Sequence, residues 1–283
     1  MTATVGISFH TRHFHDIFET FPEISFFEIH SENYMTPGGL SRQMLREIRD
    51  KYSLSAHGVG LSLGSADGLD PEHLRALKDF HAEFLPFLVS EHLSWSQLKG
   101  TYLNDLLPIP YTIEALNVFE ETINQAQDFL GRQILIENPS TYMTFKDNDF
   151  TESAFLNELC KQTGCGILLD VNNIFVSCFN ASMDPVSYLS EIIPENVGQY
   201  HLAGHARHPT VYIDHHGATV SEEVWDLFEV ALNQLGPHPT LIEWDTDVPE
   251  LSVLVGEANR ARSYIDRSIL TWKEDDDGTK RSS

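Results

Sequence analysis

Short apolar runs alternate with longer amphipathic segments along almost the whole chain. The runs are rich in β-branched and aromatic residues, which favour strands, and the segments between them have the apolar spacing of helices. Eight such runs occur, at residues 5–9, 26–30, 54–59, 87–92, 134–138, 166–172, 197–202 and 240–244. Eight strands joined by helices close into a barrel more readily than they form an open sheet. The pattern therefore predicts an α/β protein with a single (β/α)8 TIM-barrel domain.

The pattern continues without a linker until close to the end of the chain. Helix starts are marked at Asp70-Pro71 and Asp184-Pro185, where a capping side chain precedes a proline at the first helical position. The last residues form an acidic run followed by small and polar residues. We therefore expect the barrel to occupy residues 1–261 and residues 262–283 to be a frayed, disordered tail without function.

Charge narrows the classes of partner. The chain has 18 Lys and Arg against 42 Asp and Glu, a formal net charge of −24, which opposes binding to a phosphate backbone. No stretch approaches the roughly 20 apolar residues that a membrane span needs. The three cysteines, Cys160, Cys165 and Cys178, form no Cys-x-x-Cys pair, and no basic region precedes an apolar one at the N-terminus. We expect a cytoplasmic protein that binds neither nucleic acid nor membrane.

Imidazoles and carboxylates recur where the predicted strands end. In a (β/α)8 barrel these ends meet on one face, where active sites lie. We predict that this set is catalytic and binds metal: His57, His92, Glu137, Asp170, His201 and Glu243. A single histidine or carboxylate at a strand end usually has a structural role, but six at equivalent places are not explained in that way.

Metal ions are the expected counter-charge of this set. The strand ends contain almost no Lys or Arg, and buried carboxylates need a positive partner. Imidazole and carboxylate without thiolate suit zinc, iron or manganese. Asn173, Asp214 and His216 extend the metal-binding set, which is then too large for one ion. We expect Glu137, in the middle of the set, to bridge two ions.

Other polar residues follow the same strand ends. His30, Glu32 and Asn33 come at or after the second strand, and His205 lies four residues beyond His201. These four are candidates to contact the substrate or to support the ligands. Their alternative role is that of ordinary structural or surface residues.

Six sequence blocks together resemble a known family. They are Ser55-Ala-His-Gly-Val-Gly-Leu-Ser-Leu-Gly64, Ser90-Glu-His-Leu-Ser-Trp95, Ile136-Glu-Asn-Pro-Ser140, Leu168-Leu-Asp-Val-Asn-Asn173, His201-Leu-Ala-Gly-His205 and Leu241-Ile-Glu-Trp-Asp245. They are similar to the multinuclear nonheme iron-dependent oxidative enzymes, which include the methanobactin-forming oxygenase subunit. The resemblance implies a barrel of the xylose-isomerase-like superfamily, which also contains three-zinc abasic-site endonucleases.

The resemblance also implies an activity and a distribution of metals. The activity is iron- and O2-dependent oxidation of cysteine in a ribosomally made precursor peptide, aided by a small partner protein that recognises the leader. The cofactor would be two or three iron ions, with zinc or manganese as possible substitutes. Carried over by position, the first iron is held by His57, His92 and Glu137; the second by Glu137, Asp170, His201 and Glu243; the third by Asn173, Asp214 and His216. The endonucleases have a histidine where this chain has Asn173, which favours the oxidative family.

Three other functions remain open from the residues. A zinc phosphodiesterase that acts at abasic DNA would use nearly the same ligands, but the charge of −24 opposes it. A non-catalytic metal- or peptide-binding barrel would have saturated coordination. A two-metal sugar isomerase would leave Asp214 and His216 without a purpose.

Overall fold

A computed structural model describes residues 2–277, with side chains described through residue 270. Twelve strands, nine α-helices and three short 3-10 helices occur within this part of the chain. The strands are β1 (Val5–Ser8), β2 (Phe26–His30), β3 (Ser53–His57), β4 (Leu88–His92), β5 (Trp95–Leu98), β6 (Thr101–Leu107), β7 (Leu135–Glu137), β8 (Gly166–Asp170), β9 (Val197–Leu202), β10 (His205–Arg207), β11 (Tyr212–Asp214) and β12 (Thr240–Ile242). The helices are α1 (Phe14–Thr20), α2 (Leu40–Arg49), α3 (Pro71–Phe84), α4 (Ile113–Leu130), α5 (Glu152–Thr163), α6 (Val171–Ala181), α7 (Pro185–Glu191), α8 (Glu222–Leu235) and α9 (Leu251–Asp277).

Eight of the strands form a closed parallel barrel in the order β1-β12-β9-β8-β7-β4-β3-β2. Each coincides with one of the predicted apolar runs, so the prediction of a single (β/α)8 barrel is confirmed. The other four strands form two antiparallel hairpins, β5 with β6 and β10 with β11. Both hairpins follow the C-terminal end of a barrel strand and so lie on the face where barrel active sites form.

The barrel strands are buried because helices cover their outer face. Every residue of β8 is buried, and so are the large side chains Trp225 and Phe228 of the covering helix α8. Asp70 and Asp184 cap α3 and α7 as predicted, each accepting a hydrogen bond from a backbone N–H of the first turn. Among the described residues, none of the helices combines the length and hydropathy of a membrane span.

The C-terminal helix extends past the predicted end of the barrel domain. The sequence predicts that the barrel ends at residue 261 and that a frayed tail begins at Arg262, but α9 continues as one helix through Asp277. Ile265 and Ile269 are buried beyond that boundary, and burial of their side chains stabilises the additional turns. Residues 278–283, the remainder of the expected tail, lie outside the described part of the chain.

A close backbone approach at Gly204 holds the segment that follows β11 against the end of β9. A Cβ added there would lie 2.1 Å from the carbonyl oxygen of Ala218. We expect Gly204→Ala to lower the free energy of unfolding by about 3 kcal/mol, because a backbone atom must move. Urea unfolding measures this. The control is Gly256→Ala at an exposed position of α9, where no atom beyond the neighbouring helix backbone lies within 4 Å of the added Cβ, and there we expect stabilisation by about 0.5–1 kcal/mol.

Glu152, at the start of α5, is a carboxyl outside the barrel mouth. It accepts hydrogen bonds from the hydroxyls of Tyr111 and, at 2.7 Å, Tyr188. Burial raises the pKa of Glu152 despite these two bonds. The folded state therefore favours the protonated acid, and this stabilisation is full below the unfolded pKa and is lost as pH rises through the folded pKa. We expect Glu152→Gln to raise the melting temperature at pH 7–8 and to have little effect near pH 4; the opposite pH trend would contradict this.

Candidate metal centre

Three side chains from neighbouring strands form the first group of ligands. His57 ends β3, His92 ends β4 and Glu137 ends β7. The Nε2 atoms of both histidines point at one oxygen of Glu137, with His57 Nε2 3.1 Å and His92 Nε2 3.2 Å from Oε2. The two Nε2 atoms are 3.3 Å apart. One small cation can therefore be reached by all three groups.

The opposite ring nitrogens of the two histidines are held by protein groups. His57 Nδ1 lies 2.7 Å from Ser90 Oγ, and His92 Nδ1 lies 3.0 Å from the carbonyl oxygen of Gly58. If the proton of His92 is on Nδ1, this nitrogen donates to the carbonyl of Gly58, and the lone pair of Nε2 is free to bind a metal. Metal-binding histidines are oriented by this arrangement in known sites.

A second group shares Glu137 with the first. Its other members are Asp170 at the end of β8, His201 in β9 and Glu243, which directly follows β12. His201 Nδ1 lies 3.0 Å from Glu243 Oε2 and 4.0 Å from Glu137 Oε1. All four residues are buried, and each offers an atom within 4.8 Å of the others. Glu137 thus stands between two ligand groups, with one oxygen toward each.

Asp170 and Asn173 are fixed by the start of α6. Asp170 is the N-cap residue of this helix, and its Oδ1 accepts a hydrogen bond from the backbone N–H of Asn173. The Asn173 amide donates to the carbonyl oxygen of Asn138 at 3.1 Å and approaches Glu137 Oε1 at 3.4 Å. The predicted residue Asn173 therefore lies beside the shared carboxylate.

His216 and Asp214 come from the connection after β9. His216 Nε2 is 2.6 Å from Asp214 Oδ1, while its Nδ1 is 3.3 Å from Glu243 Oε2 and 3.0 Å from Asp245 Oδ2. Asp214 also accepts a hydrogen bond from Asn172. The structure thus brings His216 and Asp214 to the edge of the second group.

The centre is rich in buried negative charge and poor in positive charge. Burial alone would lower the pKa of His57, yet the Glu137 carboxylate raises it to about 9. For His92, burial outweighs Glu137 and lowers the pKa to about 4. Burial raises the pKa of Asp170 well above its usual range, and Glu137 and Glu243 add to this effect. Without Lys or Arg among these contacts, protons or cations must balance the carboxylates.

Several buried atoms of the centre fit metal coordination. Among the described residues, Asp170 Oδ2 and Asn173 Oδ1 are buried without a hydrogen-bond partner. Glu137 Oε2 and His216 Nε2 are also buried, and each faces another atom of ligand type at 2.6–3.2 Å. An unpaired buried polar atom is costly, and native proteins rarely keep several in one place. A donor set of imidazole nitrogen and carboxylate oxygen suits zinc, iron or manganese. The residues present therefore fit bound metal.

Residues beneath the centre were missed by the sequence analysis. Glu28, in the middle of β2, is buried, and its Oε1 lies 2.9 Å from His201 Nε2. Its Oε2 accepts hydrogen bonds from Gln199 and Ser55, each at 2.7 Å. A charged residue among the apolar residues of β2 was the available signal, but the prediction considered only residues at strand ends. Glu28 orients His201 and belongs to neither ligand group.

The four further candidates are placed differently from one another. His30 is part-exposed at the mouth, with Nε2 3.8 Å from Asp245 Oδ1. Asn33 is exposed, and Glu32 accepts from the backbone of the β3–α3 connection. His205 Nδ1 lies 2.8 Å from Asn172 Oδ1, and the amide of Asn172 donates a hydrogen bond to Asp214.

The chain is similar to known proteins both in sequence and in fold. The UPF0276 protein of Psychromonas ingrahamii is 44% identical over 273 residues, 95% of this chain and 96% of the relative. That of Rhizorhabdus wittichii is 48% identical over 239 residues, 84% of this chain and 86% of the relative. A solved L-ribulose 3-epimerase has a TM-score of 0.63 with 12% identity over the whole of both chains. Endonuclease IV from Thermus thermophilus has a TM-score of 0.56 with 15% identity, covering 93% of this chain and 99% of its own.

These similarities differ in what they establish. At 12–15% identity the two enzyme structures show a shared barrel fold and nothing more. The family model of the RiPP precursor modification enzymes MbnB/TglH/ChrH matches residues 4–266, nearly the whole chain. It agrees with the resemblance inferred from the six sequence blocks. The chain belongs to the MbnB/TglH/ChrH family of enzymes that modify precursors of ribosomally synthesised and post-translationally modified peptides.

Proposed function

We propose that the protein is an iron- and O2-dependent oxidase that modifies cysteine residues of a ribosomally made precursor peptide. The observation that carries the proposal is the position of Glu137 between two buried ligand groups of imidazoles and carboxylates. Two ions that share one carboxylate can hold a substrate and activate an oxidant side by side. Family membership supports a peptide as the substrate.

Iron bound by these residues would supply the redox chemistry, and O2, reduced to water, would take up the electrons and protons that the cysteine loses. We assign metal binding to the two groups around Glu137, with Asn173, Asp214 and His216 as a third set. The buried carboxylates alone would repel a cysteine thiolate. The thiolate would therefore bind only when metal cations offset the charge of these carboxylates.

The part-exposed residues indicate where the peptide enters. His92, His30 and Asp245 retain side-chain exposure of 11%, 33% and 33%, whereas His201 is fully buried. The peptide therefore approaches from the side of His30 and Asp245. We assign His30 to contact with the peptide, and His205 to the positioning of Asp214 through Asn172. The small leader-recognising partner stays an expectation from the family resemblance, and the cytoplasmic location stays a prediction from the sequence.

The test is anaerobic loading of the full chain with Fe(II), followed by addition of O2, the partner protein and a cysteine-containing peptide encoded beside the gene. We expect mass spectrometry to show a mass change on a cysteine residue. Zinc-loaded protein is the control and should leave the peptide unchanged. Unmodified cysteine with iron, together with cleavage of an abasic DNA duplex by the zinc form, would contradict the proposal and favour the phosphodiesterase.

A further inference from the structure

A second cluster of ligand-type side chains lies behind the barrel wall. Glu91 lies in β4 between Ser90 and His92, which both face the centre. Because successive side chains of a strand point to opposite faces, Glu91 points away from the barrel interior toward the helices. There it joins Glu32, which follows β2, and His73 of α3, with one ligand atom of each within 4.8 Å of the others.

Each of the three residues keeps one unsatisfied atom. Glu32 Oε2 and Glu91 Oε1 are buried and lack a hydrogen-bond partner in the part of the chain that the structure describes, and buried His73 Nε2 has only a long contact to Glu32 Oε1 there. Glu91 as a residue is only 3% exposed, on the side of the barrel that is normally apolar. A carboxylate in that position needs a positive partner, and neither Lys nor Arg makes a described contact with it.

Hydrogen bonding within the cluster does not supply that partner. Glu32 Oε1 already accepts from the backbone N–H groups of Val59 and Gly60, at 3.0 and 2.8 Å. His73 Nε2 is 3.4 Å from this same oxygen, too long for a charge-assisted hydrogen bond. The imidazole therefore makes one long contact to Glu32 Oε1, which helps to lower the pKa of Glu32, and leaves Glu32 Oε2 and Glu91 Oε1 without a partner among the described residues.

Two glycines in the backbone beside the cluster, Gly58 and Gly60, allow the three side chains to approach one another. A Cβ on Gly58 would lie 1.8 Å from Glu91 Oε1, and a Cβ on Gly60 would lie 2.8 Å from His73 Cε1. The chain can pass this close only because both positions are glycine. The cluster therefore depends on two close backbone approaches and is not a grouping of surface acids.

We propose that Glu32, His73 and Glu91 bind a divalent cation at a site separate from the centre around Glu137. Two carboxylates and one imidazole suit a borderline or hard ion such as Mn²⁺, Fe²⁺ or Zn²⁺. The ion neutralises the two carboxylates and joins the segment after β2 to β4 and α3. Since the carbonyl of Gly58 also contacts His92, the ion fixes the backbone next to a ligand of the main centre.

The test uses crystals of the full chain soaked in MnCl2 and measured at an X-ray energy that reveals manganese. We expect an anomalous peak between Glu32, His73 and Glu91, in addition to peaks at the main centre. His73→Gln should remove this peak alone. The matched control is His81→Gln on the same helix, because His81 is also buried with both ring nitrogens unpartnered but belongs to no such cluster among the described residues.

The metal content of the protein in solution tests the proposal for variants that do not crystallise. Metal analysis after gel filtration should give about one Mn²⁺ fewer per chain for His73→Gln than for the wild type, and no loss for His81→Gln. Glu32→Gln provides a second variant with the same expected loss if His73→Gln does not fold. Peaks at the main centre with none at this cluster, or equal metal content in all folded variants, would overturn the proposal.

Discussion

Glu137→Gln is expected to reduce turnover of the precursor peptide by more than about 100-fold and to lower the iron content. The carboxylate stands between two ligand groups, so its loss would affect both of the proposed ions, whereas loss of a residue that only supports a ligand costs about 10–100-fold. The amide removes the negative charge while keeping the size of the side chain. Turnover and iron per chain are measured on anaerobically loaded protein.

A matched carboxyl separates this effect from a general loss of stability. Glu152→Gln makes the same chemical change at a residue bound by two tyrosines, outside both groups. We expect this variant to keep its iron and its turnover. If Glu137→Gln also retained full iron content and activity, Glu137 would not be the shared ligand.

Removal of the metal is expected to destabilise the folded protein strongly. Glu28, Glu137, Asp170 and Glu243 are all buried around the centre, and the cations would balance their charge. At a free metal concentration about 1,000 times the dissociation constant, binding adds about 4 kcal/mol to stability. For a chain of this size that corresponds to a fall in melting temperature of roughly 8–15 °C on chelation.

Thermal unfolding before and after anaerobic chelation measures this effect. Restored metal should restore the melting temperature, which distinguishes reversible loss of the ion from damage to the protein. A melting temperature that does not change, in samples shown by metal analysis to be free of metal, would mean that protons already balance the carboxylates.

The barrel could be predicted from the sequence because its signal is periodic. An apolar run indicates a buried parallel strand even when its exact first and last residues are uncertain, so all eight barrel strands were predicted. The two hairpins were missed because they are short antiparallel segments with exposed positions, and β6 in particular is mostly exposed. The length of α9 was underestimated because an acidic chain end is typical of disorder, although Ile265 and Ile269 continue the buried face.

The strand-end ligands could be predicted because barrel topology brings chain-distant residues together. Residues within strands were harder to assign. Glu28 lies mid-strand beneath His201, and Glu91 faces outward between two inward residues; only the folded register shows which side each one faces. Glu32 shows the opposite difficulty. Its position just after β2 predicts a place at the barrel mouth, but its side chain accepts hydrogen bonds from the backbone of residues 59 and 60.

The most direct test of metal sharing by Glu137 is anomalous diffraction at the iron edge from crystals of protein loaded anaerobically with Fe(II). We predict iron peaks on both sides of Glu137, one within reach of His57 and His92 and another within reach of Asp170, His201 and Glu243. Ordered side chains in these positions with no iron peak beside Glu137, at full iron supply, would be incompatible with a shared carboxylate.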